Sequence, residues 1–199
     1  MQPSLPVRRA SPADSDRVTT IIALAFAADP VWAPAAARAD GQTGHYRALW
    51  RPFVDGALRF PATWLTAGGE AAALWIPPGE ASMTAQQEDQ LASLAAEHLG
   101  AGAAGYLALL DAIHQAHPQD EPHYFLTLLG TDPRHRGRGL GMALLAACLE
   151  RIDAEHQPAY LESSNPVNDR RYQAAGFVPR GQVTCPGGQV ITTMWRPAR

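Results

Sequence analysis

The run Arg136-Gly137-Arg138-Gly139-Leu140-Gly141 lies between two segments of different hydrophobic period. That position constrains the fold more than any other feature of the chain. Ahead of it, His123 to Thr131 is an apolar run closed by Asp132-Pro133. Tyr124 to Leu129 has almost no polar relief, which predicts a strand buried on both faces. Behind it, Met142, Leu144, Leu145, Cys148, Leu149 and Ile152 recur at helical spacing and predict a helix from Met142 to Ile152. Ala159-Tyr160-Leu161 is the next strand candidate. The unit is therefore strand, glycine turn, helix, strand. Glycines at such a turn let backbone N–H groups approach a ligand closely, and the helix dipole there favours negative charge.

Two familiar phosphate loops do not fit. A dinucleotide-binding turn needs a third glycine where Met142 stands. A nucleoside-triphosphate loop needs a lysine, and all 16 Lys and Arg residues of this chain are arginine. Arg134, Arg136 and Arg138 fall within five residues, which suits a compact phosphate group better than a long polyanion. The net charge of −3 and the lack of a polybasic block argue against nucleic acid as a partner. Hydrophobic residues at 46% and charged residues at 18% indicate a globular chain, and 199 residues without repeats or a break in composition indicate one domain over 1–199.

Cys148 falls on the apolar stripe of the helix and Cys185 beside Pro186-Gly187-Gly188, without the spacing of a metal site or redox pair, so no metal is expected. Met1 to Arg9 lacks the apolar core of a signal peptide, and no stretch is long enough to span a bilayer. These readings predict a cytoplasmic protein without a membrane partner, acting as a monomer or homodimer.

Leu5 to Arg9 is a short strand candidate. Ser11-Pro12 starts a helix that Asp29-Pro30 ends, and a second helix is predicted over Thr43 to Phe60. Thr63–Thr66 and Ala71–Ile76 read as a hairpin through Gly68-Gly69. Thr84–Leu99 and Ala103–Gln115 fit helices, and Asn165-Pro166 opens another that Gly176 stops. Phe177-Val178 and Gln189–Trp195 read as closing strands. The alternation indicates an α/β (α+β) fold.

The run Leu129 to Gly141 resembles the acetyl-CoA signature of GNAT-type N-acetyltransferases, [R/Q]-x-x-G-x-[G/A] after a fourth strand. Tyr160 to Asn168, followed by Arg171-Tyr172-Gln173-Ala174-Ala175-Gly176-Phe177, resembles the other end of that family's site. Glu121-Pro122, Ala72-Ala73-Leu74-Trp75 and Leu161-Glu162-Ser163-Ser164 resemble its puromycin N-acetyltransferase branch. The resemblance implies a central mixed, mostly antiparallel sheet with splayed parallel strands 4 and 5, flanked by helices. It implies acetyl-CoA as co-substrate, with the backbone from Gly137 through Gly139, Leu140 and Gly141 to Met142 cradling the pyrophosphate.

Arg134, Arg136 and Arg138 would add charge to that cradle. Leu129, Gly130 and Thr131 would hold the pantetheine arm in the splay, with an N–H near Leu129 polarising the thioester carbonyl. Asn168 would touch the cofactor, and Tyr172 would serve the departing sulfur as general acid. The acceptor implied is the primary amine of a small molecule; a protein N-terminus or lysine, or a catalytically silent CoA-binding sensor, are the alternatives. Trp32, Tyr46, Trp50 and Trp64 are candidates for an acceptor wall, and Glu162, His123, Asp29 or a water relay for the base.

Overall fold

A computed structural model describes residues 6–199; Leu5, the start of the first expected strand, lies outside them. The strands are β1 (Val7–Arg9), β2 (Thr63–Thr66), β3 (Ala71–Ile76), β4 (Tyr124–Thr131), β5 (Ala159–Ser163), β6 (Val178–Thr184) and β7 (Val190–Arg196). The helices are α1 (Ser15–Phe26), α2 (Trp32–Ala35), α3 (Tyr46–Ala57), α4 (Ala85–Leu99), α5 (Ala103–Ala116), α6 (Leu140–Ala154) and α7 (Asp169–Ala174). One sheet runs in the order β1-β2-β3-β4-β5-β7-β6, and every neighbouring pair is antiparallel except β4 and β5.

Period-2 alternation sorts β3 between two cores. Ala72, Leu74 and Ile76 face α1, α3 and α4, while Ala71, Ala73 and Trp75 face α6. The α6 stripe of Leu144, Leu145, Cys148, Leu149 and Ile152 closes that second core, with Leu161, Phe177 and Met194 beneath it. On the first face, α5 covers the far end of the sheet through Leu109 and Ile113 against Val183 and Ile191. Burial in the second core pushes the Cys148 thiol up to about 12, so it stays a neutral packing group.

Three expectations need correction. β4 is not buried on both faces: Leu126, Leu128 and Gly130 are buried, but the residues between them are half-buried. The cause is the site described below, which opens beside this strand. The 43–60 helix shrinks to Tyr46–Ala57, and Trp32–Ala35 forms a separate single turn. That turn is nucleated by Asp29, whose Oδ1 accepts the N–H groups of Val31 and Trp32 at 3.0 and 3.1 Å. β6 begins after Phe177 and extends to Thr184. It is an exposed edge strand with a register shift between Pro179 and Gly181, so it carries no apolar pattern to read.

The last strand is locked to α6 by a charge pair. Arg196, 2% exposed, donates to both oxygens of Asp153 at 2.5 and 2.7 Å. This pairing holds the Asp153 carboxyl below its ordinary range, so its contribution is present at neutral pH and is lost as pH falls through that lowered value. Asp153→Ala leaves a buried guanidinium unpaired and should cost about 3 kcal/mol in urea unfolding. Asp16→Ala, which removes an 80%-exposed partner of Arg51, should cost no more than about 1 kcal/mol. Equal losses would show that the Arg196 pair is no more than a surface contact.

Candidate active site

The site begins where the parallel pairing ends. β4 and β5 pair only through Tyr124↔Ala159, Phe125↔Tyr160 and Leu126↔Leu161. Beyond them β4 follows β3, up to Ala71↔Thr131, and β5 follows β7, up to Ser163↔Thr192. At the fork Thr127 is an extra residue: Leu74 pairs with Leu128 but Trp75 pairs with Leu126. Such a bulge sharpens the local twist and turns β4 away from its neighbour. The fork opens into a cleft of about 570 Å³, within the roughly 300–1,000 Å³ of small-molecule sites.

One end of the cleft is the glycine loop. Gly137 and Gly139 have φ of +78° and +73°, the left-handed region in which a Cβ is strained. Gly139 caps α6, and the first helical hydrogen bond runs from Ala143 N–H to its carbonyl at 2.9 Å. The amides of Leu140, Gly141 and Met142 precede that bond, and all three residues line the cleft. A Cβ on Gly141 would come within 2.9 Å of Thr131 Oγ1, so glycine there lets the helix start against the end of β4. Arg136 lines the cleft and anchors the loop, donating from Nη2 to Ala25 O at 2.7 Å.

The remaining expected positions divide. Leu129, Thr131 and Asn168 line the cleft. Gly130 does not: its missing Cβ would lie 3.0 Å from Ala25 Cβ and Ile22 Cδ1, so it lets α1 pack on β4. Arg134 points outward, 79% exposed, and is held by Asp132, whose carboxyl it draws down to about 2. Arg138 contacts His135 Nδ1 at 3.1 Å and does not line the cleft. Arg171, not singled out from sequence, does line it and donates to Asn168 Oδ1 at 2.9 Å.

Tyr172 lines the middle of the cleft from α7. Asp169 fixes that helix by accepting from Ser163 Oγ at 2.6 Å and Thr192 Oγ1 at 3.1 Å, which ties it to β5 and β7. Phe177 N–H donates to Tyr172 O at 3.0 Å, and the two rings meet edge-on at 6.3 Å. The Tyr172 hydroxyl has no hydrogen-bond partner among the described residues. Burial, aided by the negative charges of Asp29 and Asp169, pushes the phenol up to about 12.

The other end is a chamber walled by Phe26, Trp32, Ile113 and Ile191, with Asp29, Glu162 and Ser164 as its polar groups. Asp29 Oδ2 accepts from Ser164 Oγ at 2.7 Å, which joins the α1–α2 turn to the end of β5. Of the four aromatics read as a possible wall, only Trp32 is there, held edge-on by Trp50 at 5.1 Å. Tyr46 and Trp50 are core. Trp64 lies on the α6 side under the guanidinium groups of Arg9 and Arg151. His123 is not in the cleft lining. It packs among His117, Tyr160 and Trp195, and burial lowers its imidazole from the ordinary range. Among the described residues, no three His, Cys, Asp or Glu side chains gather as metal ligands, and no helix is long and apolar enough to cross a membrane.

Comparison with known proteins places this architecture. The chain is similar to a Corynebacterium glutamicum protein described as histone acetyltransferase HPA2 and related acetyltransferase, at 24% identity and a TM-score of 0.73, covering 99% of this chain and 98% of that one. It is also similar to Drosophila melanogaster polyamine N-acetyltransferase, at 18% identity and a TM-score of 0.64, over 96% and 98% of the two chains. Aedes aegypti arylalkylamine N-acetyltransferase 2 matches at 16% identity and a TM-score of 0.68, over 97% and 98%. The model of the acetyltransferase (GNAT) family matches residues 49–177, from α3 through the glycine loop to Phe177. The chain belongs to the GNAT family of acetyltransferases, enzymes that take their acetyl group from acetyl-CoA.

Proposed function

We propose that this chain transfers acetyl from acetyl-CoA to the primary amine of a small molecule with an apolar or aromatic body. The observation that carries this reading is the single cleft joining three parts: an amide-lined glycine loop, a stretch of β4 whose β5-facing edge has no strand partner, and a chamber with Trp32 and two carboxylates. Its dimensions suit a small acceptor, and structurally similar proteins are named for polyamine, agmatine and arylalkylamine substrates.

In this reading the pyrophosphate sits on the amides of Gly137 to Met142, with Arg136 and Arg171 supplying charge-assisted contacts. The pantetheine arm occupies the fork. The amine attacks the thioester carbonyl, the C–N bond forms, and the developing oxyanion takes an N–H from β4 near Leu129. The C–S bond then breaks, and Tyr172 faces the sulfur. With its phenol near 12 against an ordinary thiol near 8.5, complete transfer is uphill by about 5 kcal/mol. Tyr172 therefore acts first as a hydrogen-bond donor to the developing thiolate, and the proton follows as CoA departs.

Thiol release and calorimetry with tryptamine, agmatine and a lysine-containing peptide test the reading. Release with tryptamine above the other two is expected; acetyl-CoA binding without release on any of them would make the chain a sensor, and preference for the peptide would reassign the acceptor. Tyr172→Phe should lower kcat about 100-fold while the acetyl-CoA Kd stays within about twofold. Because the phenol keeps its proton to about 12, kcat should show no alkaline fall assignable to Tyr172 up to pH 10; such a fall, absent from the Phe variant, would contradict its raised pKa. Gly139→Val forces a branched side chain into a left-handed conformation and should weaken acetyl-CoA about tenfold or more. Intact binding would mean the pyrophosphate sits elsewhere.

A further inference from the structure

Two carboxylates line the chamber, and they differ in what they have left to offer. Both oxygens of Asp29 are occupied, Oδ1 by the Val31 and Trp32 amides and Oδ2 by Ser164. Glu162 is different. Its side chain is 10% exposed, and its buried Oε1 end lies beside the Tyr160 hydroxyl and the His117 ring instead of an amide or a serine. The ring of His117 approaches it, with Nδ1 3.5 Å from Oε1, which is long for a hydrogen bond.

His117 follows the last residue of α5, and its ring is held between Phe125 at 4.7 Å and Tyr160 at 5.0 Å. A second cavity, of about 320 Å³, is lined by Tyr160 and by Ala116 and Pro118, the two chain neighbours of His117. The Tyr160 hydroxyl is buried too, and burial together with the neighbouring Glu162 carboxylate raises its phenol well above the ordinary range. Glu162 thus touches the main cleft, and the groups packed beside it touch a separate opening.

We propose that Glu162 takes the proton from the acceptor amine and that His117 hands it on toward the second cavity. The proposal rests on the acetyltransferase reading above. An incoming ammonium loses one proton before attack and a second once the C–N bond has formed. One proton is needed for the departing thiolate, through Tyr172, and the other leaves the protein. A path from Glu162 through His117 keeps that outgoing proton away from the sulfur end of the cleft. The ionisable groups around Glu162 are His117 from α5, Tyr160 on its own strand, Asp29 from the α1–α2 turn, and His123 with Arg180 behind them. His123 does not suit this role, because burial disfavours its charged form and its Nδ1 is taken up by Glu121 O at 2.5 Å. Glu162 is the catalytic group in this scheme, and His117 is a positioning and relay residue.

The test compares wild type, Glu162→Gln and His117→Asn with tryptamine or agmatine, whichever turns over faster. Wild-type turnover is measured first; no acetylation of any amine sinks the enzyme reading itself, and the base with it. Given turnover, Glu162→Gln should lower kcat about 100-fold and abolish the acidic limb of the kcat/KM profile, with acetyl-CoA Kd unchanged. His117→Asn should move that limb with a smaller loss of kcat. In the unreactive complex with CoA, amine affinity measured by calorimetry should drop about tenfold in Glu162→Gln, since an amide replaces a charged acceptor. A wild-type acidic limb in Glu162→Gln overturns the proposal. Should that variant fail to bind acetyl-CoA, Glu162→Asp decides: a lowered kcat with the limb retained supports the assignment, and unchanged kcat overturns it.

Discussion

The parallel contact between β4 and β5 lasts three residue pairs, and the rest of the site depends on where it stops. Each strand has a second partner whose register draws it away: β3 leads β4 toward the glycine loop, and β7 leads β5 toward α7. The bulge at Thr127 supplies the local twist that lets them separate. Past that point the facing edges of both strands keep N–H and C=O groups that no strand satisfies, and such groups are expensive to bury alone. The fork therefore asks for an extended, amide-bearing ligand. The same separation opens the first turn of α6 at one end and leaves the largely buried Glu162 bordering the cleft at the other.

The polar groups in and behind the cleft do two kinds of work. Asp29, Asp132 and Asp169 have their oxygens committed to the protein, where they fix the α1–α2 turn, the approach to the loop and the base of α7, and one Arg136 nitrogen holds the loop to Ala25. Among the described residues, Tyr172 and Glu162 have no such bond to an amide or a serine. Strong internal pairing thus builds the walls, while Tyr172 and Glu162 border the space where chemistry would occur.

The loop and its flanking elements were legible in sequence because each carries a local signal. Gly137 and Gly139 stand where only glycine is unstrained, the α6 stripe has a clean helical period, and Asn165-Pro166 marks a turn. What was not legible depends on partners distant in the chain. Gly130 looks like part of the ligand loop, yet its bare Cα serves a helix more than a hundred residues earlier. Arg134 and Arg138 match Arg136 in type and spacing, but only Arg136 reaches Ala25. Tyr46 and Trp50 are indistinguishable from Trp32 in composition, and helix packing alone decides which of them borders the cleft. The pairing of Glu162 with His117 links strand and helix 45 positions apart, with no motif to announce it.

The complete absence of lysine has a chemical consequence at the glycine loop. An alkyl amine near a thioester is acetylated slowly without any catalyst. A lysine at position 136, gripping the loop from within the cleft, would be open to thioester molecules passing in solution and would lose its charge once modified. A guanidinium such as arginine's offers no free lone pair to a thioester. The anion cradle is therefore inert toward the reagent it is proposed to hold, and its charge does not wear away with use.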